Sequence, residues 1–370
     1  MGFVSLIDSN GNNRKYISKE WESVQGLAWS PVADEVWFTS TKVGNDRFLN
    51  AVTSSGVERL LAREPGTLTL QDVARDGRVL LTRDVARVGM VGMGPTATKE
   101  TDLSWLDWSA PTDLSLDGKT LLFLESGEGG GENYSAYIRN TDGSPAVRLG
   151  DGAAYALSPD QKWVIACRIH SPLESTLLPT GAGESRKLTH GGVELVRAHW
   201  LPDNKRFVFL GHEKDRGLRL WVQNLEDGNP TAISPEGIQA TQWVISPDGK
   251  MVAAVQSDRK GYLLAIDGGN PQAISGFPAG YVPVGWSNDG QSIWVYNPGD
   301  LPAKVYRLNL ATGQNNSGKH LCLQMRRALL TWAQFSLHRT ANRTSTSTAE
   351  RFPTCSWSRA SSRRHRESSF

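Results

Sequence analysis

Ser246-Pro247-Asp248-Gly249-Lys250, followed directly by the apolar run Met251-Val252-Ala253-Ala254-Val255, is the stretch that decides the fold. Ser at the first position, Pro at the second and Gly at the fourth suit a type I turn followed by a left-handed residue. The apolar run is too short for a buried helix. The stretch therefore predicts a β-hairpin.

Copies of this turn recur about every 43 residues along the chain. The Asp position, occupied by Val32 in the first copy, falls at separations of 44, 41, 43, 43, 45 and 41 residues. β-Branched or aromatic runs follow, such as Glu35-Val36-Trp37-Phe38-Thr39 and Arg206-Phe207-Val208-Phe209-Leu210. The other copies are Trp29-Ser30-Pro31, Asp76-Gly77-Arg78, Leu116-Asp117-Gly118-Lys119, Ser158-Pro159-Asp160, Leu201-Pro202-Asp203 and Ser287-Asn288-Asp289-Gly290. A period this regular indicates an array of one repeated unit.

A second turn marker follows most copies after about 20 to 26 residues. Each unit therefore contains strand, turn, strand, strand, turn, strand, and four antiparallel strands at this period are typical of a propeller blade. We predict an all-β fold, a β-propeller of four-stranded antiparallel blades with seven blades, or eight. An array of β-sandwiches is the alternative. The second markers are Gly56, Gly143, Gly181, Gly228, Gly268 and Gly313.

Charge divides the chain into two unlike parts. The net charge of +2 combines −6 before Asn315 with +8 from Asn315 onward. The mildly acidic body does not suggest nucleic-acid binding. No apolar run is long enough to span a membrane, and the N-terminus has no signal-peptide pattern. The three cysteines, Cys167, Cys322 and Cys355, form neither a disulfide framework nor a CxxC metal pair.

Both ends depart from the repeat. Residues 3–17 resemble the third and fourth strands of a blade, so the first two strands of that blade are expected elsewhere. We assign residues 1–314 to the propeller, entered mid-blade, and residues 315–370 to a basic, Ser/Thr/Arg-rich tail that we expect to be disordered. One interpretation is that the tail binds nucleic acid or an anionic membrane.

We favour a frameshift near Gln314 as the origin of the tail. When the last base of each codon is read with the first two bases of the next, residues 316–319 admit Leu-Trp-Lys and residues 337–342 admit Thr-Pro-Asp-Gly-Lys. Residues 350–360 admit Thr-Leu-Ser-Asp-Leu-Phe-Leu-Val-Glu-Gly. These shifted-frame sequences include a copy of the repeat turn and a β-strand. The amino-acid sequence of the tail has neither.

Residues 3–313 resemble the TolB-like, WD40-like (PD40) propellers, and most closely those that follow the kinase domain of bacterial eukaryotic-like serine/threonine kinases. The resemblance is carried by Gly26-Leu27-Ala28-Trp29-Ser30-Pro31, by Asp102-Leu103-Ser104-Trp105-Leu106-Asp107-Trp108-Ser109 and by Tyr134 to Leu149. It implies a non-catalytic sensor or interaction propeller that is extracytoplasmic in full-length relatives. The kinase motifs themselves are absent from this sequence.

Several stretches suggest chemistry, and each also fits a structural role. Gly127 to Glu132 is a Gly-rich loop without the Gly-Lys-Ser/Thr of a phosphate site. Asp8 to Asn13 resembles the start of a calcium loop but has no Glu at the twelfth position. The irregular insertion from Met90 to Thr101 is the best candidate for a functional surface, although a crossover explains it equally well. Histidines His170, His190, His199 and His212 are scattered over the repeats, and tryptophans Trp29, Trp200, Trp243 and Trp286 are expected to pack between blades.

The sequence therefore predicts a binding module rather than an enzyme. We expect a protein, peptide or small ligand on the loop face, no cofactor, no metal, no catalytic residue and a monomeric chain. The alternatives are a propeller fragment of a prolyl-oligopeptidase-like serine peptidase and an envelope scaffold of the TolB type. The sequence assigns no binding residue, because propellers share a scaffold and differ in their loops.

Overall fold

The computed structural model describes residues 2–42, 46–92, 94–99, 101–106, 108–126, 128–131, 134–168, 173–239, 243–298, 304–317 and 358–365. The regular secondary structure of these residues is β-strand throughout, apart from one 3₁₀ turn at Glu128–Gly130. No helix among them is long and apolar enough to cross a membrane. The strands in chain order are β1 (Ser5–Leu6), β2 (Lys15–Tyr16), β3 (Ser23–Trp29), β4 (Glu35–Thr41), β5 (Phe48–Thr53), β6 (Glu58–Ala62), β7 (Thr67–Val73), β8 (Val79–Gly92), β9 (Thr101–Asp102), β10 (Ser109–Leu114), β11 (Thr120–Glu125), β12 (Ser135–Asn140), β13 (Val147–Asp151), β14 (Ala153–Leu157), β15 (Trp163–Arg168), β16 (Glu174–Pro179), β17 (Arg186–Leu188), β18 (Glu194–Trp200), β19 (Arg206–His212), β20 (Arg219–Asn224), β21 (Thr231–Ala232), β22 (Val244–Ile245), β23 (Met251–Val255), β24 (Gly261–Ala265), β25 (Gln272–Ala273), β26 (Val282–Trp286), β27 (Ser292–Tyr296), β28 (Val305–Asn309), β29 (Asn315–Ser317) and β30 (Ser358–His365).

The strands form successive antiparallel sheets in two compact units. The first unit comprises Met1–Val88, Ser126–Glu132 and Arg359–Phe370, and the second comprises Gly89–Glu125 and Asn133–Ser358. The first contains the two-stranded sheet β1-β2, the four-stranded sheet β3 to β6, and β7 paired with β8, whose other edge carries β30. The second contains the four-stranded sheets β10–β13, β14–β17, β18–β21, β22–β25 and β26–β29, each a meander in chain order.

The repeated turn is held by the same hydrogen bonds in several copies. In the β22–β23 hairpin the Ser246 hydroxyl donates to the Asp248 carboxylate at 2.6 Å and accepts from the Met251 amide at 2.9 Å. Gly249 has a φ of +70°, which an L side chain rarely adopts. The Ser246 hydroxyl, followed by the Lys250 amide, holds the pKa of Asp248 below its ordinary value. The turns at Ser115, Ser158 and Ser287 repeat the bond from serine to aspartate.

Both faces of the second strand are buried in six sheets, at β4, β11, β15, β19, β23 and β27. In β19, Phe207 and Phe209 pack toward the preceding sheet, against Ile165 and Leu177, in one apolar cluster. The alternate residues of β19 belong to another cluster with Trp243 of the following sheet. Side chains alternate between faces along a strand, so this packing requires a neighbouring sheet on each side.

The predicted fold class is confirmed: the described chain is all-β and built of four-stranded antiparallel sheets of the propeller type. The number of blades stays a prediction, as does the boundary between residues 314 and 315. Most of the tail, including Cys322 and Cys355, lies outside the described residues, of which only β29 and β30 belong to it.

A β-bulge recurs in the first strand of six sheets. It falls where pairing to the second strand shifts by one residue. In β3 the extra residue is Gly26, with a φ of +63°, and an added Cβ would lie 2.0 Å from the Leu70 carbonyl oxygen of β7. The bulge therefore brings the first strands of two sheets into backbone contact.

Replacing Gly26 with alanine is expected to destabilise the first unit by at least about 1 kcal/mol more than replacing Gly77. Gly77 also has a positive φ, of +87°, but an added Cβ there would meet nothing within 4 Å. The two variants share the backbone strain and differ in the clash. Urea unfolding of both measures the difference, and equal losses would contradict the close approach at Gly26.

Candidate functional site

A cleft of about 530 Å³ lies in the second unit, beside the connection from β17 to β18. We call it the His190 cleft. Its walls are the first residues of β16, the connection from Thr189 to Val193, the start of β18 and the turn from Asp227 to Asn229 between β20 and β21. The cleft thus lies between two neighbouring sheets, where loops commonly carry binding residues on a rigid scaffold.

Close backbone approaches shape the wall of this cleft. Gly191 and Gly192 have φ values of +57° and +89°, and the Val193 amide donates to the His190 carbonyl at 3.0 Å. A Cβ on Gly228 would lie 2.8 Å from the Thr189 hydroxyl. The connection and the turn are therefore in direct contact, and glycine is required where they meet.

His190 is buried in the wall of the cleft in its neutral form. The Gln223 side-chain amide donates to the Thr189 carbonyl at 2.9 Å, which leaves its oxygen to accept from His190 Nδ1 at 2.7 Å. Burial lowers the pKa of His190, and the bond to Gln223 only partly offsets this. The Nε2 atom is then unprotonated and can only accept a hydrogen bond. It is buried and has no hydrogen-bond partner in the described part of the chain. The ring packs near Phe207 and Phe209.

Carboxylates dominate the charge around the cleft. Glu174 is paired with Lys187 at 2.8 Å, and this bond holds the pKa of Glu174 below its ordinary value. Glu194 Oε2 lies 3.6 Å from His212 Nε2. The Asp227 carboxylate accepts a hydrogen bond from the Asn229 backbone amide at 3.1 Å. With three carboxylates and a single lysine, the lining favours a ligand that is cationic or rich in hydrogen-bond donors.

A second polar group is buried between the first strands of the second unit. Arg197 of β18 is almost fully buried, and burial lowers its pKa to about 10 although Tyr155, Asp113 and Tyr296 act to raise it. The guanidinium therefore stays charged at neutral pH. Asp113 of β10 also accepts from the Leu157 amide at 2.9 Å. These side chains come from four sheets, and they connect the sheets more than they form an accessible site.

The structure separates the histidines that the sequence singled out. His190 and His212 both border the cleft, the latter through Glu194, whereas His199 packs edge-on against Trp243 with ring centroids 4.5 Å apart. His170 lies outside the described residues. No group of three or more His, Cys, Asp or Glu side chains that could hold a metal occurs in the part of the chain that is described.

Other stretches take structural roles. Met90 in the insertion is buried against Leu103, and β8 pairs with β9, so this part of the insertion is a packed hairpin. The Asp8 carboxylate accepts from the Asn10 and Asn12 amides, as in an ordinary turn. Cys167 is buried as a free thiol. Met93, Gly127 and Glu132 lie outside the described residues.

The tryptophan prediction holds at Trp200 and Trp243, which are buried between sheets, and Trp286 is half-buried. Trp29 differs, because 57% of it is exposed. Trp29 lies next to the sheet β1-β2, which has two strands among the described residues.

No protein-family model matches the sequence, and no curated protein matches it. Similar solved structures include TolB from Acinetobacter baumannii, at 19% identity over 71% of this chain and 57% of that chain, with a TM-score of 0.38. A prolyl endopeptidase matches at 16% identity over 80% of this chain and 49% of that chain, with a TM-score of 0.45. Oligogalacturonate lyase from Vibrio parahaemolyticus matches at 15% identity over 68% of this chain and 71% of that chain, with a TM-score of 0.44.

At these identities the similarity concerns the fold. The chain spans about half the length of the first two of these proteins.

The neutral state of His190 predicts a pH-dependent stability. Because its pKa is lowered in the folded protein, the unfolded chain binds more protons below about pH 6.5, and stability falls as the pH drops through that value. Between pH 7.5 and 5.5, His190→Asn should lose about 1 kcal/mol less than the unmodified chain in urea unfolding. An unchanged pH dependence in His190→Asn would show that His190 is not buried in its neutral form.

Proposed function

We propose that this chain is a non-catalytic binding propeller that holds its ligand, a protein, peptide or small molecule, in the His190 cleft. The observation that carries the proposal is the pairing of a cleft of ligand size with the carboxylates of Glu194 and Asp227 in its lining. Ligand pockets typically combine such a concave shape with a few fixed polar groups. The wall is rigid, since it is built on strands and on close glycine contacts.

The lining favours a ligand with cationic or donor groups. Glu194 and Asp227 present carboxylates, whereas the His190 Nε2 atom is buried in the wall and is not exposed to the cleft. Carboxylates accept hydrogen bonds and do not donate them. A lysine side chain or a free amino group of a peptide is the chemistry that fits best.

The proposal extends to a sensor role. The resemblance of Asp102 to Ser109 and of Tyr134 to Leu149 to kinase-associated propellers supports an interaction domain that, in longer relatives, reports ligand binding to a kinase. In this role the chain binds as a monomer and catalyses no reaction.

Two hexapeptides that differ only in charge test the ligand class: Gly-Lys-Gly-Lys-Gly-Lys and Gly-Glu-Gly-Glu-Gly-Glu. Calorimetric titration of the full chain should detect binding of the lysine peptide and not of the glutamate peptide. Glu194→Gln and Asp227→Asn should each weaken binding about two- to five-fold, because an exposed ion pair contributes up to about 1 kcal/mol.

Glu184→Gln is the matched control, since Glu184 is exposed and does not line the cleft. It should leave the affinity unchanged. Equal affinity for the two peptides, or equal weakening by the control, would refute the proposed cationic ligand.

A further inference from the structure

One buried glutamine holds the connection between β17 and β18 against the sheet. The Gln223 side-chain amide donates to the Thr189 carbonyl at 2.9 Å, and its oxygen accepts from His190 Nδ1 at 2.7 Å. Gln223 thus anchors two successive residues of the connection. We call residues 189–193 the His190 connection. It forms one wall of the His190 cleft, and these bonds keep the wall rigid while His190 is neutral.

The pocket around the His190 ring is apolar apart from Gln223. The ring centroid lies 6.1 Å from that of Phe207 and 5.1 Å from that of Phe209, and the whole residue is only 8% exposed. Burial lowers the pKa of His190, since nothing in these contacts compensates a positive charge. The charged side chains around the connection in the described part of the chain are those that line the cleft: Glu174, Lys187, Glu194 and Asp227.

A proton on His190 Nε2 would find no acceptor in this pocket. The atom is buried and has no hydrogen-bond partner among the described residues. A protonated ring in the pocket would therefore be a buried cation with an unsatisfied donor, which is strongly unfavourable. Water and three carboxylates are available in the cleft, on the other side of the connection. The imidazolium is therefore more stable outside the pocket than inside it.

Two glycines give the His190 connection a pivot. Gly191 and Gly192 have φ values of +57° and +89°, and a Cβ added to Gly192 would meet nothing within 4 Å. The connection is therefore unhindered at this point, and glycine permits a wide range of backbone angles there. The Val193 amide donates to the His190 carbonyl at 3.0 Å, and an outward movement of His190 about the glycines would break this bond.

We propose that the His190 connection is a pH-dependent gate of the His190 cleft. When His190 takes up a proton at Nε2, its ring leaves the pocket and the bond to Gln223 breaks. The imidazolium then turns toward the carboxylates of the cleft and occupies the place of a cationic ligand. The effect on ligand affinity rests on the proposed function, whereas the opening of the wall does not.

Hydrogen–deuterium exchange of the full chain without ligand tests the gate at pH 7.5 and 5.5. The open form binds a proton at the ordinary histidine pKa of about 6.5 and the closed form at a lower one, so acidification favours the open form. After correction for the intrinsic exchange rate, residues 189–193 should exchange about three- to tenfold faster at pH 5.5.

The connection between β25 and β26 is the internal control. Its Phe277 amide donates to the Ile274 carbonyl at 3.3 Å, in the same pattern as Val193 and His190, and residues 274–277 include no histidine. Their corrected exchange should be the same at both pH values. This comparison is made within the unmodified chain, so it does not depend on the folding of a variant.

His190→Asn removes the titrating group and keeps a donor near the position of Nδ1. The corrected exchange of residues 189–193 in this variant should not depend on pH, and unchanged protection of β19 would verify its fold. Acidification from pH 7.5 to 5.5 should weaken binding of the lysine hexapeptide about two- to fivefold in the unmodified chain. The loss should be smaller in His190→Asn.

Three results would overturn the gate: constant corrected exchange of residues 189–193 in the unmodified chain, an increase that persists in His190→Asn, or an equal increase in residues 274–277. Equal weakening of peptide binding by acid in both chains would overturn the effect on affinity. A lysine peptide that does not bind at pH 7.5 would refute the proposed function but not the gate, because the exchange is measured without ligand.

Discussion

Burial of both faces of the second strand, as seen in six of the sheets, is the constraint on which the rest of the structure depends. β19 places Phe207 and Phe209 against the preceding sheet and Val208 and Leu210 against the following one. A lone sheet of this kind would leave one of these sets in water, at roughly 1.5 to 3 kcal/mol for each large side chain. Each sheet is therefore stable only between neighbours, and any place where a neighbour is incomplete becomes visible as exposed apolar surface.

The two sites of interest follow from that constraint in opposite ways. At the His190 cleft, two complete sheets meet, and the connection between them must pass over their contact, where Gly191 and Gly228 permit close approach. The result is the rigid, polar His190 cleft. Beside the sheet β1-β2, a four-stranded sheet meets a two-stranded one, and Trp29 is 57% exposed although its equivalent Trp200 is 7% exposed. The same repeat position is thus buried in one sheet and exposed in another.

The sequence predicted the fold class because the turn chemistry is local. Ser246, Asp248 and Gly249 determine a hairpin within five residues, and the period places the copies. The cleft could not be predicted, because its walls come from the β17–β18 connection and from Asp227 in a turn almost 40 residues further along. His190 was singled out only as one of several scattered histidines. Its neutral state follows from burial, and its tautomer is fixed by Gln223, a residue that carries no signal in the sequence.

Hydrogen–deuterium exchange of the full chain measures this constraint most directly. If burial between neighbours stabilises each sheet, the amides of β11, β15, β19 and β27 should exchange slowest, and those of β1 and β2 should exchange orders of magnitude faster. Protection of β1 and β2 equal to that of β19 in the chain alone would contradict the account, because it would mean that a two-stranded sheet needs no further strands.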